Sequence, residues 1–135
     1  MARDLVRHYA EVGAPIAHEI AATGARPLRR QAMRRAIANL VDNAHRYAGP
    51  DVTLAVRAEA RAAVVEVLDR GPGIPDAEVE RMKQPFTRME SARSNAGGSG
   101  LGLAIVERIA QMHGGRLDLL PREGGGLVAR ITLPG

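Results

Sequence analysis

The chain has 135 residues, with 19 basic and 15 acidic side chains and a net charge of +4. That length suits one domain with a real core; the absence of cysteine excludes disulfides and thiolate zinc sites, and two Tyr, one Phe and no Trp are too few to stack single-stranded nucleic acid. Every basic residue but Lys83 is an arginine, which grips phosphate or carboxylate in a fork, and no apolar stretch is long enough to span a bilayer.

Residues 1–12 predict a short helix with Leu5, Val6, Tyr9 and Val12 on or near one face. Ile16–Ile20 alternates as a short strand, and Gly24 and Pro27 then break the chain. From Leu28 to Tyr47 the period turns helical, with Met33, Ala36, Ile37, Leu40, Val41 and Ala44 on a broad apolar face that ends at Ala48-Gly49-Pro50. Val52–Ala58 alternates as a half-buried strand. Ala62–Leu68 is more continuously apolar and belongs nearer a sheet centre, with a short link that suits a hairpin. After the loop 69–75, Asp76 is placed to cap a short helix through Lys83, with Glu78 and Glu80 in its first turns. Residues 84–99, polar and rich in Ser, Asn and Gly, read as a mobile connection. A second strong helix runs from about Gly100 to His113 and stops at Gly114-Gly115. Leu117–Leu120 and Leu127–Leu133 make a closing hairpin around Glu123-Gly124-Gly125-Gly126. The sum is an α+β fold with helices on one face of a sheet, in a single domain over residues 1–135.

Three stretches carry chemistry. On the first strong helix Asn39, Asn43, Arg46 and Tyr47 are spaced 4, 3 and 1 residues apart, which gathers them beside the apolar face. Amide oxygens are hard, neutral ligands suited to a Mg²⁺ that phosphates and water otherwise hold; the same pair equally fits a solvated face. Asp69-Arg70-Gly71-Pro72-Gly73 follows a buried strand directly. Its carboxylate can accept from an exocyclic amine such as adenine's, and its glycines admit a flat ligand, although Asp-x-Gly-x-Gly is also simply a turn. Gly98-Ser99-Gly100-Leu101-Gly102-Leu103 runs straight into a helix, whose N-terminal amides suit an anion. No Gly-Lys-Ser/Thr follows, so it is not a Walker motif, and it does not leave a strand within a βαβ unit as a dinucleotide fingerprint would.

Taken in order with Pro85-Phe86-Thr87-Arg88, these stretches resemble the catalytic and ATP-binding domain of bacterial sensor histidine kinases, within the GHKL (Bergerat-fold) ATPases. Asn39-Leu40-Val41-Asp42-Asn43-Ala44 is similar to the N box, Asp69–Gly73 to the first glycine box, Pro85–Arg88 to the F box and Gly98–Leu103 to the second glycine box. The likeness covers residues 28–133, and Gln84-Pro85-Phe86 with Ser91-Ala92-Arg93 looks most like the EnvZ type of osmosensing kinase. It implies a two-layer α/β sandwich, a mixed and mostly antiparallel sheet, and an ATP lid over about residues 87–99. It further implies Mg²⁺ on Asn43, Asn39 near the phosphates or the metal's water shell, Arg46 on phosphate, Tyr47 beside adenine and Asp69 on the adenine amino group. Gly71 and Gly73 leave room for the base, with Ile74 next to them. Gly98, Ser99, Gly100, Leu101, Gly102 and Leu103 form the phosphate-facing segment and the hinge of the lid. Phe86 anchors that lid, and Arg88 and Arg93 reach the γ-phosphate or a partner. Arg46 stands where many relatives carry Lys, which keeps the charge and changes the donor geometry.

Hydrolysing relatives place Glu at the first N-box position to activate water; Asn39 cannot act as a general base. The resemblance therefore favours a kinase donor domain over a hydrolytic ATPase or a non-catalytic nucleotide sensor. Phosphoryl transfer also needs an acceptor imidazole. His18 reads as a strand residue, His113 as a helix-end residue and His45 as mostly exposed, and none of the four histidines, His8 included, has an acceptor's context. The acceptor is thus expected on a separate dimerisation domain of a longer, homodimeric sensor, with a response regulator acting indirectly. No nucleic-acid contact and no membrane insertion by this segment are expected; it is read as a monomeric, cytoplasmic portion of an inner-membrane sensor.

Overall fold

The computed structural model describes residues 2–21, 28–59, 61–83 and 102–134. Helix α1 (Ala2–Glu11) leads into strand β1 (Ala17–Ile20), and helix α2 (Arg30–Ala48) into β2 (Thr53–Glu59) and β3 (Ala62–Leu68). A tight turn at Asp76–Glu78 opens the short α3 (Val79–Met82), and α4 (Gly102–Met112), β4 (Arg116–Pro121) and β5 (Leu127–Pro134) close the chain.

The strands form one sheet in the order β1-β2-β3-β5-β4. β1 runs parallel to β2, with α2 as the crossover between them, and every other pair is antiparallel. Register explains the layers. Leu54, Val67, Ala129 and Leu119 lie in one cross-strand row, and Val56, Val65, Ile131 and Leu117 in the next. These rows face Met33, Ile37, Leu40 and Val41 of α2 and Leu103, Val106 and Ile109 of α4 in a single apolar core. The opposite face carries Ala55, Glu66, Arg130 and Asp118 in register. There Glu66 accepts from Arg57 Nη1 and Arg130 Nε, both at 2.6 Å. Burial pushes the Glu66 carboxyl up, but the two guanidinium groups outweigh it and hold the carboxyl below its ordinary value.

The expected fold is the observed one, with local corrections. The helix expected from Asp76 through Lys83 is a tight turn and a single α-turn, because the Glu78 N–H bonds to the Pro75 carbonyl at 2.8 Å, three residues back. Asp76 therefore lies inside the turn and does not precede a helix. β1 buries little of its own surface, as expected of an edge, and His18 on it is exposed opposite Leu54. His45 is not mostly exposed: it is half-buried against Tyr9 of α1, with ring centroids 5.9 Å apart, and its Nε2 is buried without a partner among the described residues.

Candidate functional site

α2 builds the first wall. Its apolar stripe is drawn to the sheet, which turns the adjacent stripe of Asn39, Asn43 and Tyr47 to a half-buried position at the edge of the core. Arg46 beside them is exposed. Among the described residues none of these four side chains has a hydrogen-bond or ion-pair partner. Asp42, the carboxylate between the two asparagines, is tied off: it accepts from Tyr9 Oη of α1 at 2.7 Å. Burial and this bond together raise the Tyr9 phenol well above its ordinary value, so it stays a donor.

The loop after β3 builds the second wall against the last turn of α2. A methyl group on Gly71 would fall 2.5 Å from Ala48 Cβ and 2.9 Å from its Cα, so only glycine lets the two backbones meet this closely. Asp69 is buried at 6 % exposure. Its Oδ1 accepts from the Gly71 N–H at 2.9 Å and the Leu127 N–H at 3.1 Å, and its Oδ2 takes no hydrogen bond among the described residues. Ile74 packs partly buried on the core edge beyond it.

α4 lies across α2 with opposed ends. His113 at its C-terminus donates from Nδ1 to the Ile109 carbonyl at 2.8 Å and accepts the Arg29 N–H on Nε2 at 3.0 Å, which ties it to the start of α2. The N-terminal residue of α4 is Gly102, so α4 runs back along α2 from that anchored end. Among the described residues nothing lies within 4 Å of where a Gly102 side chain would begin, whereas the Leu103 side chain belongs to the core.

The structure thus sets the Asp69–Gly71 loop against Ala48, at the end of the helix that carries Asn39, Asn43, Arg46 and Tyr47, with Gly73 against Gly126 and Ile74 on the core edge; Gly102 begins α4. Phe86, Arg88, Arg93, Gly98, Ser99, Gly100 and Leu101, and with them the expected lid, lie outside the described residues. Sequence reasoning missed two supports. Lys83, the last residue described before that gap, is buried and pairs with Glu80 at 3.4 Å and with Glu107 of α4 at 3.5 Å. The β4–β5 turn, read only as a hairpin loop, is bonded to the Asp69 loop; its three consecutive glycines were the available signal.

Among the described residues no group of three or more His, Cys, Asp or Glu could hold a metal. Among the described residues the donor set is carboxamide, guanidinium and one buried carboxylate, which suits a ligand that brings its own phosphates.

The chain belongs to the family of histidine kinase-, DNA gyrase B- and HSP90-like ATPases, whose model matches residues 29–135. Within it the chain is a catalytic and ATP-binding domain of the sensor histidine kinase type. It is 44 % identical over 106 residues to the sensor protein CutS of Streptomyces coelicolor, covering 76 % of this chain and 26 % of that protein. The mycobacterial sensor histidine kinase MprB superposes with a TM-score of 0.74 at 34 % identity, covering 99 % of this chain and 92 % of that one. The histidine kinase domain of the E. coli osmosensor EnvZ gives 0.72 at 35 % identity, covering 98 % and 82 %. The chain spans about a quarter of the length of the curated relative CutS, 26 %. No helix among the described residues is long and apolar enough to cross a membrane.

Proposed function

We propose that this chain binds Mg²⁺-ATP and donates the γ-phosphoryl group to a histidine on a separate dimerisation domain of the same sensor kinase. One observation carries the reading: half-buried carboxamides and a buried carboxylate with one oxygen unbonded, each without a partner among the described residues, lie on α2 and on the loop that packs against its last turn. In this reading Asp69 Oδ2 accepts from the adenine amino group, Tyr47 flanks the base, and Arg46 and the α4 N-terminus take phosphate charge. Asn43 holds the Mg²⁺ and Asn39 its water shell or the phosphates; a carboxamide fits a hard cation already surrounded by phosphate oxygens. When bound, the ion neutralises phosphate charge.

The protein's contribution is positioning. The γ-phosphorus must face outward for an imidazole nitrogen from the acceptor domain; an N–P bond forms there as the bond to the β–γ bridging oxygen breaks, and ADP leaves. At the N-box position where hydrolysing relatives place Glu, residue 39 is a carboxamide, which cannot draw a proton from water. Kinase transfer is thus favoured over hydrolysis. In this reading residues 1–135 are one domain. It is the cytoplasmic part of a homodimeric membrane sensor that passes its phosphoryl group to a response regulator. The test adds the chain and γ-labelled Mg²⁺-ATP to the acceptor domain of its own full-length sensor. Acid-labile, base-stable label on that domain supports the reading, and its absence, with ATP bound, refutes it.

A further inference from the structure

The last rung of the β3–β5 ladder is rerouted. Leu68 pairs with Val128, so Asp69 and Leu127 are the next partners. The Asp69 N–H bonds to the Leu127 carbonyl at 3.0 Å as an antiparallel rung requires. The return bond does not go to the Asp69 carbonyl. The Leu127 N–H instead donates to the Asp69 side chain, at Oδ1. The carbonyl so released is taken by Arg122 Nη1 at 3.1 Å, from the far side of the β4–β5 turn.

The turn is built around this exchange. Arg122 closes it through its own backbone, donating to Gly126 O at 3.0 Å and accepting from the Gly125 N–H at 2.9 Å. Arg70 reaches the opposite way, donating from Nη1 to Glu123 O at 2.9 Å and Gly125 O at 3.2 Å. Gly126 lies against the loop with φ +114, and a side chain there would begin 2.0 Å from the Asp69 carbonyl oxygen and 2.9 Å from Arg70 Cα. Two arginines therefore cross between loop and turn, and a glycine lets the backbones touch.

We propose that Arg122 and Gly126 are positioning residues for nucleotide-base selection. By occupying the Asp69 carbonyl and approaching it closely, they commit the Leu127 N–H to Oδ1, fix the carboxylate's rotamer and leave Oδ2 as the oxygen offered to the base amine. This rests on the reading of Asp69 as the adenine-binding residue. An unbonded carbonyl would compete for the Leu127 N–H and free the carboxylate to turn.

The experiment measures ATP and GTP affinities by titration on the whole chain for the parent, Arg122→Ala, Arg122→Lys, Gly126→Ala and Asp69→Asn, with a melting curve for each. Arg122→Ala is expected to lose about tenfold in ATP affinity with GTP affinity unchanged, so that base preference falls, and Arg122→Lys to restore most of it. Gly126→Ala should lose more, and if it fails to fold the arginine pair still decides. Equal losses for ATP and GTP, or no loss in Arg122→Ala while Asp69→Asn weakens ATP, would overturn the positioning role alone. An Asp69→Asn variant that keeps the parent's ATP preference would overturn the base reading itself, and the proposal with it.

Discussion

The two ends of the candidate site are finished to different degrees. At Asp69 the loop, the β4–β5 turn and the end of β3 are joined by hydrogen bonds that, among the described residues, leave a single carboxylate oxygen open. At Asn39 and Asn43 the helix supplies position only, and among the described residues the carboxamides are unpartnered. Under the proposed function, the difference follows the chemistry of the two parts of Mg²⁺-ATP. A base is flat and rigid and rewards a fixed hydrogen-bond partner. A triphosphate with its metal brings its own charge and water, so carboxamides held on a helix suffice until it arrives.

The largest expected effect breaks that contrast or confirms it. Asp69→Ala removes the acceptor of two backbone N–H groups and should cost about 3 kcal/mol of folding stability. Asn43→Ala should change stability by no more than about 0.5 kcal/mol while removing the Mg²⁺ dependence of nucleotide binding. Urea unfolding of both variants measures it, and equal losses would mean that the ends do not differ. Next in size is Glu66 on the open sheet face, a carboxylate organised as firmly as Asp69 but away from the site. Glu66→Gln should cost about 2 kcal/mol at neutral pH. Because the folded carboxyl sits below its ordinary value, its contribution is complete above the unfolded carboxyl value and is lost as pH falls through the folded one. The variant should therefore show a shallower acid decline in denaturant midpoint, and an unchanged decline would deny the two guanidinium bonds their role. A smaller loss than at Asp69 or Glu66 is expected of Tyr9→Phe, which removes the hydroxyl's bonds to Asp42 and the Ala38 carbonyl for about 1 kcal/mol with nucleotide affinity unchanged. A parallel fall in affinity would show that α1 holds the asparagines as tightly as the turn holds Asp69.

Much of this was legible in the sequence because it is local. The apolar period of α2 located both its core face and the asparagine stripe beside it, and the continuous run of β3 placed Asp69 at the end of a central strand. What was not legible is what joins distant segments. Arg122 meets the Asp69 carbonyl across 53 residues and the Leu127 N–H meets its carboxylate across 58. Glu123-Gly124-Gly125-Gly126 serves equally well as an ordinary hairpin loop; that Gly126 must touch Asp69 depends on the register of β3 and β5. His45 was misjudged for the same reason, since its burial comes from Tyr9 on another helix.

The most direct test is titration calorimetry of the parent chain with a non-hydrolysable ATP analogue, with Mg²⁺ and with a chelator, repeated on Asn43→Ala. The account predicts binding that Mg²⁺ strengthens by about tenfold or more in the parent and leaves unaltered in the variant. No binding at millimolar analogue, or the same Mg²⁺ gain in both proteins, would contradict it.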